Sequence, residues 1–369
     1  MKDKTRRSAI AWDLGIHHRM AEYHGMATDS RKFHLFHDIT YISSIVHGSA
    51  QKSPPIHIYD IISLECNAAC HFDKHNGEAE IGMFAGLRDV IYTFSKFSAK
   101  EPRLFTDIGD FNSELELDYK IFKEPIGFQN VSIIKGGNLE FYPNDAYMNF
   151  FKDFQPRDKT RLACSEVIRI SSELFVWFHE LYHLWRQHIQ LLNKFGFSSL
   201  TITETNTSTI SDENKVIQRY CEHDADLMAL HTLIENLKQG SGPYYDLISI
   251  VGKDHGYRLL FYGVFCTMTT LMIAGIISRS LESNTHPNVF DRISFLVESV
   301  IRGYNENDEI RSGLDKAFED WKLASTIFEW KAFIGNHVTI APYAKGDFQL
   351  YYEQVGEFIG HLQGAINKN

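Results

Sequence analysis

The segment Trp177-Phe178-His179-Glu180-Leu181-Tyr182-His183 carries the side-chain types of metal-assisted hydrolysis, at the spacing a helix requires. An α-helix advances 3.6 residues per turn, so residues i and i+4 share a face. His179 and His183 can therefore aim imidazole nitrogens at one zinc ion. Glu180 follows the first histidine and stands beside the metal. There it can take a proton from a zinc-bound water and pass it to a leaving amine. Two histidines packed on a helix, with a surface glutamate between them, would read the same. A five-residue pattern in a chain with 18 histidines is short, so its weight depends on what else the chain supplies.

Glu222-His223-Asp224-Ala225-Asp226 opens a second helical pattern downstream. Glu222 and Asp226 are again i and i+4. A catalytic zinc takes three protein ligands and keeps one position open, and Glu222 suits the third place. Asp226 can then accept the second ring N–H of a ligating histidine and fix its tautomer. Thr285-His286-Pro287 follows, with Asp291-Arg292-Ile293 behind it. Proline suits the first turn of a helix, which puts His286 at the helix's N-terminal edge. From there it could donate to a developing oxyanion. Arg292 is a candidate to hold a buried carboxylate such as Asp226. A plain helix start with a surface histidine and a surface arginine fits the same residues.

The set His179-Glu180-x-x-His183, Glu222-x-x-Ala225-Asp226 and Thr285-His286-Pro287 with Arg292-Ile293 resembles the gluzincin peptidases. It is most similar to the Lit-type phage-exclusion peptidases of bacteria. The likeness extends to Ala163-Cys164-Ser165-Glu166-Val167-Ile168 before the zinc helix. It also includes Glu78-Ala79-Glu80-Ile81-Gly82-Met83-Phe84 with the helical run after it. It covers about residues 75–300, in patches. HtpX-like membrane gluzincins share the three motifs but differ in their membrane helices. The resemblance implies zinc bound by His179, His183 and Glu222, with Glu180 as general base and acid. It implies a supporting role for Asp226 and places His286 and Arg292 beside the active site. It further suggests an intracellular bacterial peptidase that cuts a protein substrate in phage defence, with a phage-derived or partner-derived trigger. The rivals are an HtpX-like quality-control peptidase and a non-catalytic helical interaction module.

Composition narrows the classes. The chain has 369 residues, 44% hydrophobic and 13% aromatic, which is globular. Its net charge is −10, and no basic run is long enough to track phosphates, so nucleic acid is not an expected partner. The early Lys2-Asp3-Lys4-Thr5-Arg6-Arg7 leads into no apolar stretch of the secretory kind. Five cysteines without a disulfide-like framework suit a reducing compartment, and a cytoplasmic location is expected. Cys66, Cys70, His71 and His75 are zinc-type side chains within ten residues, but they lack the Cys-x-x-Cys knuckle. Ordinary buried cysteines near a turn are the preferred reading there. Residues 259–278 form an uncharged run long enough to span a bilayer. Its threonines, and its position between two parts of one active site, favour a buried central helix and no membrane partner.

The elements that must position this chemistry follow from pattern and punctuation. Short β-type runs are expected at 56–59, 60–64, 78–84 and 131–134, with a helix at 86–99. From about 161 the chain turns helical, with helices near 161–194, 212–238, 256–281, 287–302, 308–331 and 347–366. The polar run Thr201 to Asp212 reads as a surface loop beside the site. The expected fold is an α+β zincin-like metallopeptidase. Residues 1–160 would form a mixed α/β part with an active-site edge strand at Glu78 to Phe84, and 161–369 a helical zinc-binding part. Gluzincins commonly hold a peptide as an added β-strand, which is the role assigned to that edge.

Overall fold

A computed structural model describes residues 56–113 (apart from 62–64, 74 and 76), 131–135, 138–141, 155–195, 201–203, 212–241, 245–277, 289–328 (apart from 307) and 330. The first 55 residues, the Thr285-His286-Pro287 segment and the helix expected at 347–366 lie outside the described residues.

Two parallel strands, β1 (Ile56–Ile61) and β3 (Glu78–Phe84), pair along the whole of β1, from Ile56 opposite Ala79 to Ile61 opposite Phe84. β2 (Ala68–Asp73) pairs antiparallel on the other side of β3. A three-residue strand, β6 (Thr201–Thr203), extends the sheet beyond β2, giving the order β1-β3-β2-β6. A separate hairpin is formed by β4 (Val131–Lys135) and β5 (Asn138–Phe141). Strand side chains alternate between faces. Ala68, Cys70, Ala79, Ile81 and Met83 accordingly join the main core, and Ile61, Ala69 and Phe84 cluster on the opposite face.

Eight helices stand among the described residues. α1 (Ala85–Lys100) follows β3 directly. The long α2 (Lys159–Trp185) holds the His-Glu-x-x-His pattern, and the short α3 (His188–Lys194) follows it. α4 (Asp212–Lys238) holds Glu222 and Asp226. α5 (Tyr245–Val251), α6 (Lys253–Ile277), α7 (Val289–Gly303) and α8 (Glu309–Ile327) complete the set. One hydrophobic core links the sheet to all of the long helices. The architecture is α+β, mostly helical with a small sheet.

Two expectations change, and the reading of Cys66 and Cys70 as ordinary buried cysteines stands. The strand at Glu78 to Phe84 is not an edge, because β1 and β2 flank it on both sides. The apolar pattern of that strand reports burial, and burial on both faces belongs to an interior strand. The helix expected at 161–194 is broken: α2 stops at Trp185 and Gln187 takes the left-handed conformation (φ 59°) before α3 begins. Among the described residues Cys66, Cys70, His71 and His75 form no converging group, and the adjacent Cys70 and His71 on β2 point to opposite faces. Cys70 joins the core facing the helices, whereas His75 is exposed.

α6 is the one helix among the described residues long and apolar enough to cross a membrane, and 94% of its most apolar window is buried inside the fold. It packs against α2 and α8. At the crossing with α2, a Cβ on Gly263 would lie 2.8 Å from the carbonyl oxygen of Ile168, so glycine permits backbone-to-backbone approach. Ser172 donates there to the carbonyls of both Ile168 and Gly263. Trp321 of α8 donates its indole N–H to Thr269, which gives one of the α6 threonines its place in the interior.

The start of α2 is anchored against the end of α1. Arg161, fully buried, donates to the backbone carbonyls of Ala99, Glu101, Leu104, Phe105 and Ile108. Its guanidinium thereby satisfies the carbonyls that a helix end and its exit loop leave over. Asp158 caps α2 by accepting from the Arg161 N–H. Gly109 adopts φ +66°, and a Cβ there would collide with the Asp158 carboxylate. Gly109→Ala is therefore expected to cost about 2–3 kcal/mol, from left-handed strain plus loss of the cap. Urea unfolding measures it. A loss below about 0.5 kcal/mol, the usual surface range, would mean the loop relaxes freely.

Candidate metal centre

The central face of α2 carries His179 and His183 one turn apart, and both are buried. Their rings meet edge to face, with Nε2 atoms 2.9 Å apart. α4 packs against α2 and brings Glu222 to the same point. Glu222 Oε2 lies 3.4 Å from His179 Nε2, and Glu222 Oε1 lies 3.6 Å from His183 Nε2. Among the described residues this is the one group of metal-type side chains that converges.

Each histidine is held from behind. His179 Nδ1 lies 2.9 Å from Asp226 Oδ1, one turn after Glu222 on α4. Arg292 on α7 grips the same carboxylate with two hydrogen bonds of 2.7 Å, one from Nε and one from Nη2. Burial alone would push the Asp226 carboxyl up, but Arg292 and then His179 outweigh it and hold it at about 2. An ionised carboxylate only accepts hydrogen bonds, so its place beside Nδ1 favours the His179 tautomer that carries the proton there and presents a lone pair at Nε2. Arg292 Nη2 also lies 3.9 Å from Glu222 Oε2, close enough to steady that carboxylate.

His183 has a different partner. Its Nδ1 lies 3.0 Å from Nδ1 of His188, the first residue of α3. His188 Nε2 lies 3.1 Å from Asp224 Oδ2, and Arg186 holds Asp224 through two contacts of 2.8 and 3.2 Å. Burial pushes the Asp224 carboxyl up, yet His188 and Arg186 bring it below the usual range, so it is ionised. His188 must therefore donate from Nε2, and burial keeps its ring neutral. Its Nδ1 is then an acceptor, His183 donates from Nδ1, and His183 also presents a lone pair at Nε2. Burial likewise lowers the His183 pKa well below the ordinary imidazole value, against the opposing pull of Glu222.

Two imidazole lone pairs and a carboxylate thus face one point. Without a cation between them these groups repel. The donor set, its tautomers and its depth fit a metal ion held by two nitrogens and a carboxylate.

Glu180 is buried one residue beyond His179, about 100° further round α2. Its carboxylate accepts from the Cys70 thiol on β2, and burial followed by Glu180 pushes that thiol well above its ordinary pKa. Three expected ligands and their expected support, Asp226 and Arg292, are therefore in one place, with Glu180 beside them. His286 lies outside the described residues. Sequence reasoning missed His188, Asp224 and Arg186, and it read Cys70 as an ordinary buried cysteine without placing it beside Glu180. Asp224 lies inside the stretch Glu222 to Asp226, but no periodicity tied it to a histidine. His188 follows His183 by five residues, a spacing that an unbroken helix turns about 140° away.

A family model described as Peptidase U49 matches residues 148–310, which run from just before α2 into the first residues of α8. No curated protein and no solved structure gives a significant match. The matched residues take in His179, Glu180, His183, Glu222 and the residues that support the two histidines, and the match supports a peptidase family for this chain.

Proposed function

We propose that the chain is a zinc-dependent endopeptidase of gluzincin type that cuts an intracellular protein. The observation that carries the reading is the convergence of His179, His183 and Glu222 with both imidazoles fixed as acceptors, inside a peptidase-family match. Two His and one Glu form the ligand set of a catalytic zinc with one open position. When bound there, zinc lowers the pKa of water and polarises a carbonyl.

The chain's own residues do the rest. Glu180 takes a proton from the attacking water as its oxygen bonds to the scissile carbonyl carbon. It then delivers that proton to the amide nitrogen as the C–N bond breaks, so one water is consumed and no other reactant is needed. Asp226 and Arg292 keep His179 in its tautomer throughout. His286 is assigned as donor to the oxyanion, from its place in the motif order. The Lit-type resemblance, consistent with the family match, extends the reading to a bacterial host protein cut during phage attack. An enzyme of that kind would be restrained until a phage-derived or partner-derived trigger arrives.

Elemental analysis tests the centre of this reading. The wild-type protein is expected to hold one zinc per chain, and His183→Ala to lose most of it because a ligand is gone. Unchanged zinc in His183→Ala would remove the assignment. Wild type and an inactive variant are then expressed in bacteria with and without phage, and new protein N-termini are compared. Identical fragments and identical phage yield would end the defence reading and leave general peptidase activity.

A further inference from the structure

We propose that His188 and Asp224 are positioning residues that hold His183 in its ligating form, through a hydrogen-bond chain that begins at the surface with Arg186. The proposal rests on the metal-site reading above. His179 has the carboxylate-histidine support that the motif spacing already suggests. His183 has a histidine in that place, and the histidine in turn has its own carboxylate.

The local backbone builds this chain. α2 ends at Trp185, Arg186 keeps a right-handed conformation, and Gln187 is left-handed (φ 59°, ψ 33°). That single residue turns the chain back, so the first residue of α3 lies over the last turn of α2. The His183 and His188 rings meet edge to face with centroids 5.0 Å apart. Asp224 stands about 200° round α4 from Glu222, on the side that α3 reaches. Arg186 closes the chain where it meets water, its side chain 42% exposed against 12% for Asp224. The order Arg186, Asp224, His188, His183 therefore joins solvent to Nδ1 of a candidate ligand ring through three polar contacts of 3.2 Å or less.

Geometry assigns each member a task. Asp224 accepts from His188 Nε2, which leaves Nδ1 of His188 as the acceptor for His183. His183 is thereby committed to offer its Nε2 lone pair to the metal. A residue that only filled space at position 188 would contribute to folding but not to how tightly metal is kept. Supporting residues of this type are worth about 10- to 100-fold in metal affinity.

The test compares wild type with His188→Ala and His188→Asn in the full chain. The rate of zinc loss to excess EDTA is followed, with the visible spectrum of cobalt(II)-substituted protein and the denaturant unfolding of the metal-free forms. The Asn carbonyl oxygen stands where Nδ1 stood, so it can still accept from His183. His188→Ala is expected to lose zinc about 10- to 100-fold faster with an altered cobalt spectrum, and His188→Asn to recover most of both. Wild-type release and spectrum in His188→Ala would overturn the inference and leave the metal reading intact, even if metal-free unfolding shifts. A wild type that binds neither metal would overturn both. If His188→Ala does not fold, His188→Asn is set against His188→Gln, whose amide sits at the Nε2 position instead. Retention by Asn with loss by Gln supports the proposal, and equal behaviour of the two overturns it.

Discussion

Glu180→Gln is expected to keep its metal and to lose activity by about 10²–10⁴-fold. The residue follows His179, but a step of one on a helix turns about 100°, so its carboxylate stands beside the ligand face and not on it. The convergent group comprises His179, His183 and Glu222 without Glu180. Glutamine keeps the size and can still meet the Cys70 thiol, which now touches the carboxylate. What it cannot do is accept a proton from water and return it to a leaving amine. The chemistry and the binding of metal should therefore separate in this variant. Metal content is read by elemental analysis, and activity as new N-termini in bacteria that express each form. If zinc and activity vanish together, Glu180 is a ligand and the assignment of Glu222 needs revision. If the fragment pattern is unchanged, the water has another base.

Arg292→Ala is expected to destabilise the fold by about 3–5 kcal/mol, because it leaves a buried carboxylate without its cation. Asp226 and Arg292 are both buried, and their two hydrogen bonds tie α7 to α4. Removing the guanidinium lets burial dominate, and the Asp226 carboxyl would move up towards its protonated form. A protonated Asp226 is a weaker acceptor for His179, so metal binding should weaken along with the fold. The double variant Asp226→Asn with Arg292→Ala removes both charges and should recover part of the lost stability. That recovery measures the coupling between the two residues. Denaturant unfolding of the wild type, both single variants and the double variant supplies all four values. Additive losses, or a cost of less than about 1 kcal/mol for Arg292→Ala, would show that the pair is not what holds α7 against the metal-site helix.

The candidate ligand set was legible in the sequence because it is written in helical periods. His179 and His183 are i and i+4 on one helix, and Glu222 and Asp226 are i and i+4 on another. Any helix long enough to carry such pairs presents them on one face, so the local code suffices to pick out the residues that converge. The helices at 212–238 and 86–99 were legible for the same reason, through periodic apolar positions with clear ends. The buried character expected of the 259–278 run followed from where it sits in the chain, and 94% of the most apolar window of α6 is buried.

Three features depended on contacts between distant residues. β3 is an interior strand because β1 and β2 both choose it as partner, and a strand's own pattern does not say which neighbours it has. Cys70 reaches Glu180 because β2 packs against α2, which no spacing encodes. His188 reaches His183 because one left-handed residue, Gln187, ends a helix that the periodicity would have continued. Glutamine carries no strong signal for that conformation, unlike glycine or asparagine. Residues within one helix were therefore assigned from the chain alone, whereas the second support of the metal centre exists only where the α2–α3 corner meets α4.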